Sequence, residues 1–298
     1  MISYFQAVVI GLLQGVTELF PVSSLGHSVL LPALLGWHEV VAGQAARESF
    51  YLAFLVGLHV ATALALLAFF WRDWLRIVAG LVGSVRRRRI ETADERLGWL
   101  LVVATLPAGA VGVAFEHALR TLFAKPLAAA VFLTLNGVIL LAGERLRRRT
   151  APAPAPVSEG PGAAPARVEP SRRLDTLALG EALLIGACQI LAFFAGISRS
   201  GVTMVAGLAR GLDHEDAARF AFLLATPIIF AAGLYKLPDF LGPNGDGVRG
   251  QIVAGSLVAG GAAWLSVRFL TGWFKTRTLT PFAVYCLVVG VACTARFA

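Results

Sequence analysis

Charged residues are scarce in this chain of 298 residues: Asp, Glu, Lys and Arg together make up 15% of it, whereas 57% is hydrophobic. Soluble domains carry about 25% charged and about 45–50% apolar residues, so this balance argues against an ordinary soluble enzyme and indicates an integral membrane protein. The first residues, MISYFQAVVIGLLQG, lack the basic head and small-residue cleavage site of a signal peptide. We therefore expect this segment to remain in the mature protein.

Cysteine is also rare. Cys188, Cys286 and Cys293 lie in apolar segments and show no C-x-x-C spacing, so neither a disulfide framework nor a zinc site is indicated. The formal net charge is +8, but the basic residues do not form a polar domain with interleaved aromatic residues. We therefore expect no nucleic-acid partner.

Long apolar runs take up most of the chain. A helix needs about 20 residues to cross a hydrocarbon core of about 30 Å. Runs of this kind lie near residues 50–70, 97–116, 126–143, 215–237, 250–270 and 279–297. The sequence therefore predicts six transmembrane helices, which contact membrane lipids.

The segment RRRTAPAPAPVSEGPGAAPARVEPSRR, from Arg147 to Arg173, separates two groups of three apolar runs. It is rich in Pro and Ala and poor in bulky apolar residues, which is typical of a flexible linker. We therefore expect a single membrane domain in which residues 1–149 form the first half, 150–173 a cytoplasmic linker and 174–298 the second half.

The two halves begin with similar interrupted apolar segments. A shift of 175 positions aligns Gln14 with Gln189, Ser23 with Ser198 and Gly26 with Gly201. Matches at a fixed offset indicate an internal repeat.

The number of apolar runs predicts how the halves are related. Each half contains three apolar runs, which is an odd number, so the second half enters the membrane from the opposite side. The initial segments, 1–35 and 178–211, contain Gly, Pro and Ser breaks, which are tolerated at membrane depth only where protein or a water-filled cavity satisfies the backbone. The predicted fold is an all-α integral membrane protein with an inverted-topology repeat, each half being a re-entrant helical hairpin plus three transmembrane helices.

Arginine residues concentrate in the loop after the first run and in the linker, and are sparse in the other loops. Under the positive-inside rule these two regions are cytoplasmic. We therefore expect both termini on the outer side.

Ionisable residues inside a membrane are costly and are candidates for function. The segment QGVTELFPVSSLGHSVLLP contains Glu18 and His27. Gln14 and Glu18 are four residues apart and so share one helix face. The loop that follows can turn Ser23, Ser24 and His27 toward the same place.

The second interrupted segment, FFAGISRSGVTM, has a different chemistry. It contains Ser198, Arg199, Ser200 and Thr203 beside Gly201. A glycine- and serine-rich loop that enters a helix presents free backbone N–H groups to anions, and a guanidinium recognises phosphate in a bidentate manner. The predicted ligand is a phosphate group.

Together the two segments supply what hydrolysis of a phosphoanhydride requires: a base or metal ligand, a nucleophile and a proton donor. Gln14 and Glu18 offer hard oxygen atoms to a divalent cation that also binds the diphosphate. His59, in the first apolar run, is a further near-site residue for which a structural role is equally open.

Two alternatives remain open at this point. Glu18 and Arg199 can form a buried ion pair that fixes a conformation without chemistry. The protein can also be a transporter, such as a polyprenyl-phosphate flippase or a small-anion transporter, because broken helices in inverted repeats are transporter architecture.

The motifs QGVTELFPVSSLGH and AGISRSG resemble the two signature segments of the undecaprenyl-diphosphate phosphatase family, the bacitracin-resistance membrane phosphatases. The first matches the family's Glu/Gln-x-x-x-Glu element at Gln14 and Glu18 and its Pro-Val-Ser-Ser-x-Gly-His run, which ends at His27. The second matches Pro-Gly-x-Ser-Arg-Ser-Gly at residues 195–201, with Ala195 where the family usually has proline. The likeness covers essentially the whole chain apart from the linker.

The resemblance implies hydrolysis of undecaprenyl diphosphate to undecaprenyl phosphate and inorganic phosphate, which recycles the carrier lipid for peptidoglycan synthesis and confers bacitracin resistance. It further implies a bacterial plasma-membrane protein whose site is open to the outer face, a divalent cation, Mg²⁺ or Ca²⁺, and bacitracin as a competitor for the substrate. A homodimer remains open.

The resemblance also implies roles for individual residues. Glu18 is the base or a metal ligand, His27 the acid/base or nucleophile, and Arg199 the phosphate clamp. The further phosphate contacts are Ser23, Ser198, Ser200, Gly201 and Thr203. The nucleophile is left open between Ser24, His27 and an activated water molecule.

Overall fold

The computed structural model describes residues 2–37, 40, 50–123, 125–150, 172–235 and 247–298. Within these ranges the regular structure is helical, apart from an isolated bridge between Arg172 and Leu212. The prediction of an all-α protein is confirmed for the described residues. The predicted linker, 150–173, lies outside the described residues except at its two ends.

The α-helices of these ranges, in chain order, are α1 (Tyr4–Thr17), α2 (Ser24–Leu34), α3 (Phe50–Phe69), α4 (Trp71–Arg87), α5 (Ala93–Phe123), α6 (Pro126–Thr150), α7 (Leu179–Cys188), α8 (Arg199–Ala209), α9 (His214–Tyr235), α10 (Arg249–Trp273) and α11 (Thr280–Phe297). Short 3₁₀ helices cover Leu174–Thr176 and Gln189–Phe193.

By length and composition, α5, α6, α9, α10 and α11 can each cross a membrane. They correspond to five of the six predicted spans, which are confirmed as helices long and apolar enough to cross a membrane. The sixth predicted span, 50–70, coincides with α3, which qualifies together with α4 as a pair bent by 84°. The break lies at Phe70, which precedes α4 without a side-chain cap.

Helix α4 carries an apolar stripe on its surface. Its exposed apolar residues recur every three or four positions and are Trp71, Leu75, Val78, Val82 and Val85. Other side chains tie the helix to the start of α5: Arg76 contacts Asp94, and Arg87 pairs with Glu95. An amphipathic helix of this kind, turned sharply away from an apolar one, is typical of helices that lie in the membrane interface.

The segments predicted to be re-entrant form short helices. Helices α1, α2, α7 and α8 contain 14, 11, 10 and 11 residues, and a spanning helix needs about 20. The turn between α1 and α2 and the turn between α7 and α8 therefore carry the Pro, Gly and Ser breaks seen in the sequence.

Small residues let the short helices approach the long ones closely. Helix α1 packs along α10, and α7 packs along α5. A Cβ atom on Gly11 would overlap the carbonyl group of Gly255, and one on Gly186 would overlap that of Ala104. Close helix contacts through small residues are characteristic of membrane proteins, and here they hold both turns in the interior.

Candidate active site

The two turns touch each other. Ser23 precedes α2 with a φ of 73°, and its Oγ accepts hydrogen bonds from Gly26 N–H at 3.2 Å and from Gly196 N–H, in the other turn, at 3.2 Å. A Cβ atom on Gly26 would lie 2.8 Å from the Cα of Gly196. The contact between the turns therefore requires glycine at position 26, and a Cβ atom on Gly196 would overlap the Ala129 carbonyl of α6.

Glu18 lies at the centre of this contact and is buried, with 8% of its surface exposed. Its Oε1 accepts a hydrogen bond from the Arg199 guanidinium at 2.6 Å. Its Oε2 accepts from Ser24 Oγ at 2.5 Å and from Gln14 Nε2 at 2.9 Å. His59 Nε2 lies 3.5 Å from the same oxygen. The carboxylate thus joins groups from both halves of the chain.

Arg199 is the first residue of α8, and its guanidinium is held at two points. One nitrogen pairs with Glu18, and the other donates to the Ala225 carbonyl at 3.2 Å. A guanidinium has five donors, so this anchoring leaves several N–H groups for a ligand. The charge-assisted contact with Glu18 is of the short, strong class.

Ser24 and Glu18 form a nucleophile–base pair in geometric terms. The Oγ of Ser24 donates directly to the carboxylate at 2.5 Å, and a hydroxyl next to a general base is the usual arrangement of an activated serine. Ser24 is the first residue of α2. Its hydroxyl therefore sits at a helix N-terminus, where a phosphate group is favoured.

These groups border a cavity of about 330 Å³. Its polar lining comes from Thr17, Glu18, Ser23, Ser24, His59, Gln189, Ser198 and Arg199. Its larger apolar part comes from Leu25, Leu55, Val56, Ala108, Ala192, Phe193, Ile197, Ile228, Ile229, Ala232 and Gly233. A small polar end on an apolar cavity suits a ligand with a charged head and a hydrocarbon tail.

Comparison with known sequences identifies the family. The sequence profile described as "Bacitracin resistance protein BacA" matches residues 7–292. The chain belongs to the BacA family. A relative from Frankia alni, named Undecaprenyl-diphosphatase 2, is 58% identical over 338 aligned positions, which cover 100% of this chain and 98% of the relative.

Other BacA relatives cover nearly the same extent. A protein from Mycolicibacterium paratuberculosis, named Undecaprenyl-diphosphatase, is 59% identical over 98% of this chain and 96% of its own length. One of the same name from Granulibacter bethesdensis is 45% identical over 97% of this chain and 95% of its own length.

Not every predicted site residue of this BacA chain reaches the cavity. Ser200 Oγ lies 3.0 Å from Ser198 Oγ and 3.4 Å from the Phe20 carbonyl. Gly201 N–H donates to Ser198 Oγ at 3.1 Å, and Thr203 Oγ1 donates to the Arg199 carbonyl at 2.8 Å. These residues shape the second turn and α8. Their role as phosphate contacts stays a prediction.

His27 also lies away from the cavity lining. Its Nδ1 is 2.7 Å from the Ser23 carbonyl, and its Nε2 is 2.8 Å from the Tyr285 hydroxyl of α11. Because a carbonyl only accepts, Nδ1 carries a proton, and in the neutral ring Nε2 accepts from Tyr285. Both nitrogens are therefore occupied, and a catalytic role for His27 stays a prediction.

We expect Tyr285→Phe to lower the free energy of unfolding by about 0.6 kcal/mol, the average for a hydrogen bond between helices in a membrane protein. The change removes only the hydroxyl that His27 accepts from. Thermal unfolding in detergent measures the effect, and Tyr4→Phe is the matched control because Tyr4 is 58% exposed. Equal unfolding midpoints for Tyr285→Phe and the parent protein would contradict the expected bond.

Sequence reasoning missed two polar residues that support the site. Tyr285 is the partner of His27, and Asn136 of α6 contacts both turns. An asparagine inside an apolar run is itself a signal, because buried polar groups in membranes need partners. For Tyr285 the sequence offers no comparable signal, since tyrosine is common at membrane interfaces.

The donor atoms near Glu18 fit a divalent cation in part. Gln14 Oε1 is buried without a hydrogen-bond partner, and it belongs to the side chain whose Nε2 donates to Glu18 Oε2. Among the described residues, however, there is no group of three His, Cys, Asp or Glu side chains that could hold a metal ion. The residues present therefore suit an ion that is also bound by a diphosphate, as magnesium often is.

Proposed function

We propose that this BacA family chain hydrolyses undecaprenyl diphosphate to undecaprenyl phosphate and inorganic phosphate. The observation that carries the proposal is the hydrogen bond from Ser24 Oγ to Glu18, with the Arg199 guanidinium on the same carboxylate. The names of the relatives supply the substrate. The apolar lining of the cavity accommodates the first part of an isoprenoid chain.

In the first step Ser24 attacks the terminal phosphorus. Glu18 accepts the hydroxyl proton as the Oγ–P bond forms, and the bond from this phosphorus to the bridging oxygen breaks. Undecaprenyl phosphate departs with that electron pair and takes the proton from Glu18. Arg199 balances the charge on the oxygens of the transferred group, which is the main catalytic requirement of phosphoryl transfer.

In the second step water attacks the phosphoserine. Glu18 accepts a proton from the water molecule and passes it to Ser24 Oγ as the Oγ–P bond breaks and inorganic phosphate leaves. The same carboxylate therefore serves as base in both steps, which is consistent with its direct contact to Ser24. His59, 3.5 Å from Glu18, keeps this carboxylate in place.

A divalent cation, Mg²⁺ or Ca²⁺, is part of the proposal. Gln14 Oε1 and the Glu18 carboxylate would hold it together with oxygen atoms of the diphosphate, and the ion would supply additional charge neutralisation to the substrate.

The arrangement in the membrane is proposed as an inverted repeat. Ser23 caps α2 through Gly26, and Ser198 caps α8 through Gly201, so the residues aligned by the 175-residue shift have the same roles. Helix α1 of the first half packs on α10 of the second half, and α7 of the second half packs on α5 of the first half, so the two contacts correspond. This correspondence supports halves 1–149 and 174–298 with opposite orientation.

The cavity is proposed to open on the outer side of a bacterial plasma membrane. It reaches Gly233, near the end of α9, whereas His214 at the start of α9 contacts Glu144, close to the arginines that end α6. The positive-inside rule favours a cytoplasmic location for the basic end, and with it a topology in which both termini lie outside. Bacitracin would then compete for the same extracellular substrate.

The proposal is tested with purified protein in detergent and undecaprenyl diphosphate as substrate. We expect release of inorganic phosphate that stops on chelation with EDTA and resumes with Mg²⁺ or Ca²⁺. Retention of activity in EDTA would remove the cation from the proposal. Intact substrate in detergent, combined with lipid movement across protein-containing vesicles, would instead favour a flippase.

A further inference from the structure

Asn136 connects the two turns from outside both of them. It lies in the interior of α6 and is fully buried, with 0% exposure. Its Nδ2 donates to the Pro21 carbonyl of the first turn at 3.0 Å, and its Oδ1 accepts from Ser198 N–H of the second turn at 2.9 Å. One short side chain therefore bonds to the backbone of both segments.

The two backbone groups are close to the reacting side chains. Pro21 lies between Glu18 and Ser24 in the first turn, and Ser198 directly precedes Arg199. A shift of either turn relative to Asn136 therefore changes the separation of the carboxylate, the hydroxyl and the guanidinium.

Few residue types can make this connection. The side chain must donate to a carbonyl and accept from an N–H group, which a carboxamide does with its two ends. Asn136 Nδ2 also lies 3.3 Å from Cys286 Sγ of α11, so the amide is held from a third direction. A polar group at this depth is costly unless it is satisfied, and here both ends of the amide are used.

We infer that Asn136 is a positioning residue of the hydrolysis, acting through Glu18, Ser24 and Arg199. The inference rests on the proposed function. Direct bonds between the turns, from Gly196 N–H to Ser23 Oγ and between Ser200 and Phe20, keep them together without Asn136. Asn136 adds the alignment that the transition state requires, so its loss lowers kcat while KM stays close to that of the parent.

The test compares Asn136→Leu, which keeps the size and removes the hydrogen bonds, with Thr134→Val as a control on the same helix. Thr134 donates to the Ala130 carbonyl of its own helix at 3.0 Å. We expect kcat to fall about a hundredfold in Asn136→Leu, the loss that a misplacement of 1 Å can cause. Thr134→Val should keep the parent kcat. Asn136→Ala, which leaves room for a water molecule, serves if the leucine variant does not fold.

A double variant separates positioning from general destabilisation. Arg199→Lys loses the aligned guanidinium, so adding Asn136→Leu should reduce kcat much less than it does in the parent protein. An equal loss in both backgrounds, or an unchanged kcat in Asn136→Leu and Asn136→Ala, overturns the inference. Failure of the parent protein to release phosphate is a different result, because it refutes the proposed function itself.

Discussion

Replacement of Arg199 by alanine lowers kcat by about 10³-fold or more, the loss expected when an arginine that balances phosphoryl-transfer charge is removed. Arg199, the first residue of α8, forms an ion pair with Glu18. Without it the transferred phosphoryl group loses its clamp. Phosphate release under single-turnover conditions measures the change.

Stability must be measured alongside this loss. Arg199→Ala leaves the Glu18 carboxylate buried without its cation, and breaking a buried ion pair costs about 3–5 kcal/mol. Arg199→Lys keeps a positive charge but lacks the planar fork, so we expect it to unfold near the parent midpoint and still to lose most of its activity. A lysine variant with full activity would show that Arg199 supplies charge only and no geometry.

Replacement of Ser24 by alanine has the second large effect. Removal of a serine nucleophile that works with a general base costs roughly 10⁶-fold in kcat in a well-studied hydrolase, and we expect phosphate release here to fall to background. The Ser24 hydroxyl is the group that donates to Glu18 Oε2. Rapid quenching of the parent protein with substrate labelled in the terminal phosphate should trap a phosphoserine at this position.

Ser28→Ala is the matched control for the serine prediction. Ser28 lies one turn later in α2, is also buried, and donates to the Ser24 carbonyl at 2.9 Å. The Ser28→Ala variant loses a hydroxyl from the same helix but keeps the bond between Ser24 and Glu18, so its activity should remain near that of the parent. Appreciable turnover in Ser24→Ala, with no trapped phosphoserine in the parent, would remove Ser24 as the nucleophile; absence of a phosphohistidine as well would assign the attack to water.

The sequence alone predicted those features that depend on local pattern. Apolar runs of sufficient length correctly predicted five helices that are long and apolar enough to span, because lipid imposes a length and a composition on every crossing. The pairing of Glu18 with Arg199, distant in the chain, was also predicted as an alternative to catalysis. Charges at membrane depth are costly unless they are paired. The structure contains this pair, with Arg199 Nη2 2.6 Å from Glu18 Oε1.

Features that depend on tertiary contact were not predictable in this way. The 84° bend after Phe69 interrupts a pattern that is apolar on both sides of it. The partner of His27 lies on α11, 258 positions away, and no local pattern connects a histidine with a tyrosine at that distance. The sequence marks Asn136 as a polar residue in an apolar run, but its two partners, the Pro21 carbonyl and the Ser198 N–H, are known only from the structure.

The glycines that face Gly255 and Ala259 from α1 have a consequence for the chemistry itself. Neither Gly11 nor Gly15 leaves space for an added methyl group, so α1 cannot slide along α10 without collision. The Glu18 carboxylate, which directly follows α1, is consequently fixed relative to α10. Under the proposed function the diphosphate must therefore travel to a carboxylate of fixed position, because α1 cannot carry that carboxylate toward the lipid.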